Sequence, residues 1–148
     1  MQQAAAQTDD FLAAFRGSFT SALRWHQLDA LWARMRERAG AGWFIYALGE
    51  TPPEASSDAE RVNAFIDEMD KLLRREHKED YCGIVYADNL QDPSFLKIYD
   101  PNNLGVSCGY SDNPPLPGWV MSLIPPADVA ATQVIPKNRR RWWQQLFG

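Results

Sequence analysis

The chain changes texture at Tyr81. Before that residue apolar side chains recur at helical spacing, and after it short β-rich runs are separated by Pro, Asn, Asp and Gly. This order predicts an α+β domain. Two or three helices of the N-terminal half should pack on a mainly antiparallel sheet of four to five strands, with room for one parallel pair.

The most strongly specified helix begins at Ser57-Asp58-Ala59-Glu60, an S-x-x-E capping box. Val62, Phe65, Ile66, Met69, Leu72 and Leu73 then keep 3.6-residue spacing to about His77. Acids stand early, and Lys71, Arg74, Arg75 and Lys78 late, as the helix dipole favours. Thr8 is placed to cap a short first helix carrying Phe11, Leu12 and Phe15, which Gly17-Ser18 ends. A second helix is expected over 19–39. Its wide stripe is Trp25, Leu28, Leu31, Trp32 and Met35; a narrower strip of Phe19, Ala22, Leu23, His26 and Ala30 lies nearly opposite. A sheet should cover the first and the short helix the second.

Trp43 to Leu48 is an unbroken apolar run, the pattern of a core strand. The later strands are expected at Tyr81–Ala87, Ser94–Tyr99, Val106–Cys108 and Trp119–Ile124, with a tight hairpin turn over Asp100–Gly105. The strand-helix-strand unit from Trp43 to Ala87 allows a parallel pair through a right-handed crossover.

With 148 residues the chain suits one domain, read as residues 1–136 followed by a basic, aromatic tail over 137–148. Charge is uneven. Residues 1–49 carry a net +1, 50–80 carry −5, 81–136 carry −4 and the tail carries +4, for a total of −4. An acidic body gives no broad positive field, so nucleic acid is the least favoured partner. No apolar run reaches the roughly 18 residues of a spanning helix, and the start lacks the basic and apolar regions of a secretory signal. Two isolated cysteines, Cys82 and Cys108, read as free thiols of a reducing compartment, and the expected location is the cytoplasm.

Phosphate-binding, dinucleotide-binding, zinc-protease, serine-hydrolase and calcium-loop motifs are all missing, so no cofactor is expected. Nucleophilic chemistry would have to draw on His26 or His77, the two histidines; the favoured pair is Cys108, in the Gly-bounded Ser107-Cys108-Gly109, with His77, which stands at a helix end near Cys82 while His26 lies on a mixed helical face. Packed strand thiols and a solvated helix-end histidine are the plainer reading. Asp88, Asn89 and Asp92 in one loop and Asp112 and Asn113 in another could gather oxygen ligands for a cation, with Asp88, Asp92 and Asp112 as its carboxylates. Turn preference explains the same residues without a metal.

The tail sets Arg139, Arg140 and Arg141 directly before Trp142 and Trp143, with Leu146 and Phe147 following. Arg and Trp are enriched at binding hot spots, so these residues, with Trp119 beside the Pro-rich stretch from Tyr110, are the candidate partner surface. The same tail also fits a closing helix whose arginines meet the acidic helix, or a contact with an anionic membrane surface. The first expectation is therefore a small non-catalytic interaction module, self-associating as a homodimer. A small enzyme or ligand and metal binder built on Cys108, His77 and loop acids is the second. Membrane-surface or nucleic-acid contact through the tail is the third.

Overall fold

The computed structural model describes residues 10–102, 116–129 and 137–147. Residues 10–15 form a short helix, α1. The elements after it are β1 (Thr20–Ser21), α2 (Trp25–Glu37), β2 (Phe44–Ala47), α3 (Ala59–Glu76), β3 (Val85–Ala87), β4 (Phe95–Ile98), β5 (Trp119–Ser122) and α4 (Lys137–Phe147). The strands make one five-stranded sheet in the order β1-β3-β4-β5-β2, antiparallel throughout. The α+β expectation holds.

Alternation along the strands assigns two faces. Ile45, Ala47, Val85, Ala87, Leu96, Ile98, Trp119 and Met121 point to an upper core shared with α2 and α3. Every apolar residue expected on the α3 stripe is buried there, as are Leu28, Leu31, Trp32 and Met35 of α2. Removing such side chains from water contributes roughly 1.5–3 kcal/mol each. Polar pins fix the two helices on each other: Trp32 Nε1 donates to Asp70 at 3.2 Å, and Arg36 meets Asp67 at 2.6 Å.

The lower face carries Tyr46, Phe95 and Val120, and Phe11 of α1 closes over them with its ring centroid 5.3 Å from Phe95. Lys97, also on this face, lies 4.4 and 4.2 Å above the Phe15 and Phe19 rings. Its ammonium is pulled below its ordinary range by burial. Tyr46 donates to Asp128 at 3.4 Å; burial first, then the Asp128 charge, pushes its phenol up to about 12. The native state thus holds this proton more tightly than the unfolded chain. The stabilisation is complete below the ordinary value of 10.0 and is lost as pH rises from there towards about 12. Alkaline unfolding should therefore set in above pH 10, with a late phenol in the ultraviolet titration, and Tyr46→Phe should remove both.

Several expectations are corrected. Residues 20–21 are strand rather than helix, because the extended segment through Ala22 bonds to the β3 chain, and α2 starts only at Trp25. The narrow strip is therefore not a helix face covered by α1: α1 packs under the sheet, and His26 and Ala30 are exposed. The cap of α3 is Asp58, one residue after Ser57, and it accepts from the Arg61 N–H at 2.8 Å. There is no parallel crossover, since β2 pairs with β5 and stands at the far edge from β3. Both sides of β4 are taken by β3 and β5. The expected strand Val106–Cys108 and the second half of the expected turn over Asp100–Gly105 lie outside the described residues.

Candidate functional site

Among the described residues the large apolar side chains that stay exposed are Leu23 and Tyr81, at 49% and 47%. They come together because the chain leaving β1 runs beside the chain entering β3: Cys82 N–H donates to Leu23 O at 2.7 Å and Gly83 N–H to Ala22 O at 3.2 Å. Gly83 has φ of +69°, and a Cβ there would stand 3.3 Å from the Tyr81 ring and 3.8 Å from Leu23. Only a glycine suits both the backbone conformation and the close approach.

Beside this pair opens a cleft of about 440 Å³ lined by Trp25, Arg74, His77, Lys78, Glu79 and Asp80. Trp25 begins α2 and donates its indole N–H to Glu79 O at 3.0 Å, and the Arg74 guanidinium carbon lies 4.9 Å from the ring centroid. His77 caps the C-terminus of α3, its N–H bonded to Leu73 O at 2.8 Å. Its ring sits between Trp25 and Tyr81, 6.1 and 6.3 Å between centroids, with Nε2 2.9 Å from Cys82 O. The result is an aromatic shelf rimmed by charges of both signs. It brings apolar area and directional polar groups together.

The other predicted site residues fall elsewhere. Cys108, Asp112 and Asn113 lie outside the described residues. Cys82 is buried, and burial pushes its thiol up. Asp88 accepts the backbone N–H groups of Asn89, Ser94 and Phe95 at 2.9, 2.9 and 3.2 Å as well as the Ser94 hydroxyl, and Asn89 does the same for Gln91 and Asp92. Both shape the β3–β4 loop. Asp92 pairs with Arg38 at 2.7 Å. No group of three His, Cys, Asp or Glu side chains suited to a metal occurs among the described residues.

The tail forms α4 and docks on the upper core. Arg139 is buried and its Nε and Nη2 donate to Asp100 at 2.7 and 3.1 Å, while Nη2 also reaches Glu76 at 2.7 Å. Trp142 packs on Trp119 and Phe65, at 5.5 and 6.2 Å, and Trp143 on Phe65 at 6.3 Å. Arg141 is exposed; Arg140 and Phe147 lie on the helix, their side chains outside what the structure describes. Arg139, Trp142 and Trp119 thus spend their binding chemistry inside the chain. Sequence reading missed Leu23, Trp25 and Tyr81, because all three sit at helical or strand-like positions that also suit a core. The one signal in the sequence is its six Trp, five Tyr and seven Phe, more than one modest core usually takes in.

No family model, curated protein or solved structure matches the chain. No described helix is long and apolar enough to cross a membrane.

Proposed function

We propose that this chain is a non-catalytic protein-interaction domain that self-associates through the surface formed by Leu23, Trp25, His77 and Tyr81. The carrying observation is the exposure of Leu23 and Tyr81 side by side, next to an aromatic cleft. Hot spots favour aromatic and arginine side chains at a partly desolvated centre, and Trp25, Tyr81 and Arg74 supply them here. The mixed charge of the rim, Lys78 with Glu79 and Asp80, favours a partner of mixed charge over a polyanion. Leu23 and Tyr81 belong to neither buried core cluster, while Trp25 and the buried His77 anchor the surface to the domain beneath.

Changing Leu23→Asp and Tyr81→Asp together should leave the fold intact, since exposed substitutions typically change stability by about 0.5 kcal/mol or less. The dissociation constant of the assembly should rise roughly tenfold or more, which corresponds to about 1.4 kcal/mol. Light scattering over a concentration series checks this. A wild type that is monomeric throughout, or a double variant that assembles as well as wild type, sinks the proposal.

A further inference from the structure

We propose that the lower sheet face around Lys97 is a binding site for a small aromatic carboxylate. This goes beyond the self-association surface and does not depend on it.

The site is built across four strands. Ser21 stands opposite Tyr86, Tyr86 opposite Lys97, and Lys97 opposite Val120, so these side chains form one row on one face. Phe11 of α1 closes over Tyr46, Phe95 and Val120 and is itself fully buried. Nearer β1 the cover is incomplete: Phe15, Phe19, Tyr86, Lys97 and Tyr99 all keep part of their surface in solvent. α1 is therefore a lid over one part of this face, and the remainder is an aromatic floor open to solutes.

Lys97 supplies the charge. A charge beside an apolar layer loses hydration, and such groups are normally paired. Lys97 is not: no ion pair or hydrogen bond holds its ammonium among the described residues, although it is the single base of 81–136 and five acids share that stretch. Burial pulls the ammonium below its ordinary range, and no acid offsets this. The buried Oγ of Ser21, in the same row, also has no hydrogen-bond partner among the described residues. Two donors on this face thus lack an acceptor. A carboxylate is an acceptor of the matching sign.

The rings select the rest of the ligand. Nζ of Lys97 lies 4.4 and 4.2 Å from the ring centroids of Phe15 and Phe19, and Tyr86 and Tyr99 meet edge to face at 5.6 Å. Partly exposed rings offer edges and faces to a further ring, which prefers offset or T-shaped contact. One ammonium matches one negative charge. A polyphosphate or a nucleic acid brings more, and the net −4 of residues 81–136 opposes it. The ligand is therefore a monoanion carried on a flat apolar body.

The test titrates the full chain with phenylacetate and follows amide and aromatic shifts by nuclear magnetic resonance. Phenylacetamide keeps the ring without the charge, and acetate keeps the charge without the ring. The expected result is saturable binding of phenylacetate, with shifts centred on Phe19, Tyr86, Lys97 and Tyr99. The dissociation constant should be at least about tenfold higher for either control. Lys97→Met should keep the circular dichroism and the melting temperature of wild type, because it removes an unpaired charge from an apolar layer. It should raise the phenylacetate dissociation constant roughly tenfold or more. Should that variant not fold, the contrast between phenylacetate and its amide in wild type decides alone. Equal affinity for the amide, shifts centred elsewhere, binding unchanged by Lys97→Met, or no saturation by phenylacetate each overturns the site. Shifts at the same residues on raising the protein concentration alone would give the face to a second copy and overturn it as well.

Discussion

Arg139→Ala should cost about 3–5 kcal/mol, because it abandons a buried carboxylate rather than trimming a surface pair. The Arg139 and Asp100 side chains are only 8% and 9% exposed, and Glu76 is 19% exposed. One guanidinium satisfies both acids, and Asn102 adds a hydrogen bond to Glu76. Arg139→Lys should recover only part of the loss, since an ammonium lacks the planar fork that meets Asp100 twice. The pair also sets an acid limb. The hydrogen bond from Arg139 holds the Glu76 carboxyl below its ordinary value of 4.5, against the opposing effect of burial. The native state therefore binds that proton less tightly than the unfolded chain does. Its contribution is complete above pH 4.5 and fades as pH falls through the lower native value. Urea unfolding of wild type and both variants at neutral and acid pH measures this. A wild type and an Arg139→Ala protein with equal midpoints at neutral pH would show that α4 does not hold through this contact.

Phe11→Ala should be comparably damaging, at about 3–5 kcal/mol for a fully buried aromatic. Phe11 has no exposed surface, and its ring lies within 6.4 Å of those of Phe15, Tyr46 and Phe95, so truncation empties the centre of the lower core. Tyr46, Phe95 and Val120 would lose their cover, and binding of a hydrophobic dye should accompany the lower melting temperature. A surface-like change of a few tenths of a kcal/mol would mean that α1 is not the lid of that face.

These two side chains also mark where the sequence could be read and where it could not. The α3 stripe from Val62 to Leu73 was fully legible, because 3.6-residue spacing and a nearby acidic cap are local properties. The strands from Phe95 and Trp119 were legible for the same reason, within a residue or two of their ends. Phe11 was seen as an apolar helix residue, yet nothing local says which face of a sheet it covers. Phe19 and Ala22 fitted a helical strip by spacing, but hydrogen bonds to the β3 chain, some sixty residues later, draw them into an extended segment. The candidate surface was illegible for a related reason. Leu23 and Tyr81 become neighbours only when β1 lies along β3, and a core leucine and a surface leucine look alike in one dimension. His77 was singled out for a thiol partner; its ring instead rests between Trp25 and Tyr81.

The strand order also bears on how the chain is made. Among the described residues the two strands of the first half, β1 and β2, end at opposite edges of the sheet and do not pair with each other. While the polypeptide is being synthesised, β2 must wait for residues 119–122, more than seventy positions downstream, before it has a strand to bond. Contacts between distant segments close slowly. On the ribosome, α2 and α3 therefore emerge with their apolar stripes before the strand that joins β2 to the sheet. The nascent chain carries an unfinished, adhesive surface for most of its translation, which predicts that chaperones engage it until the last quarter of the sequence is out.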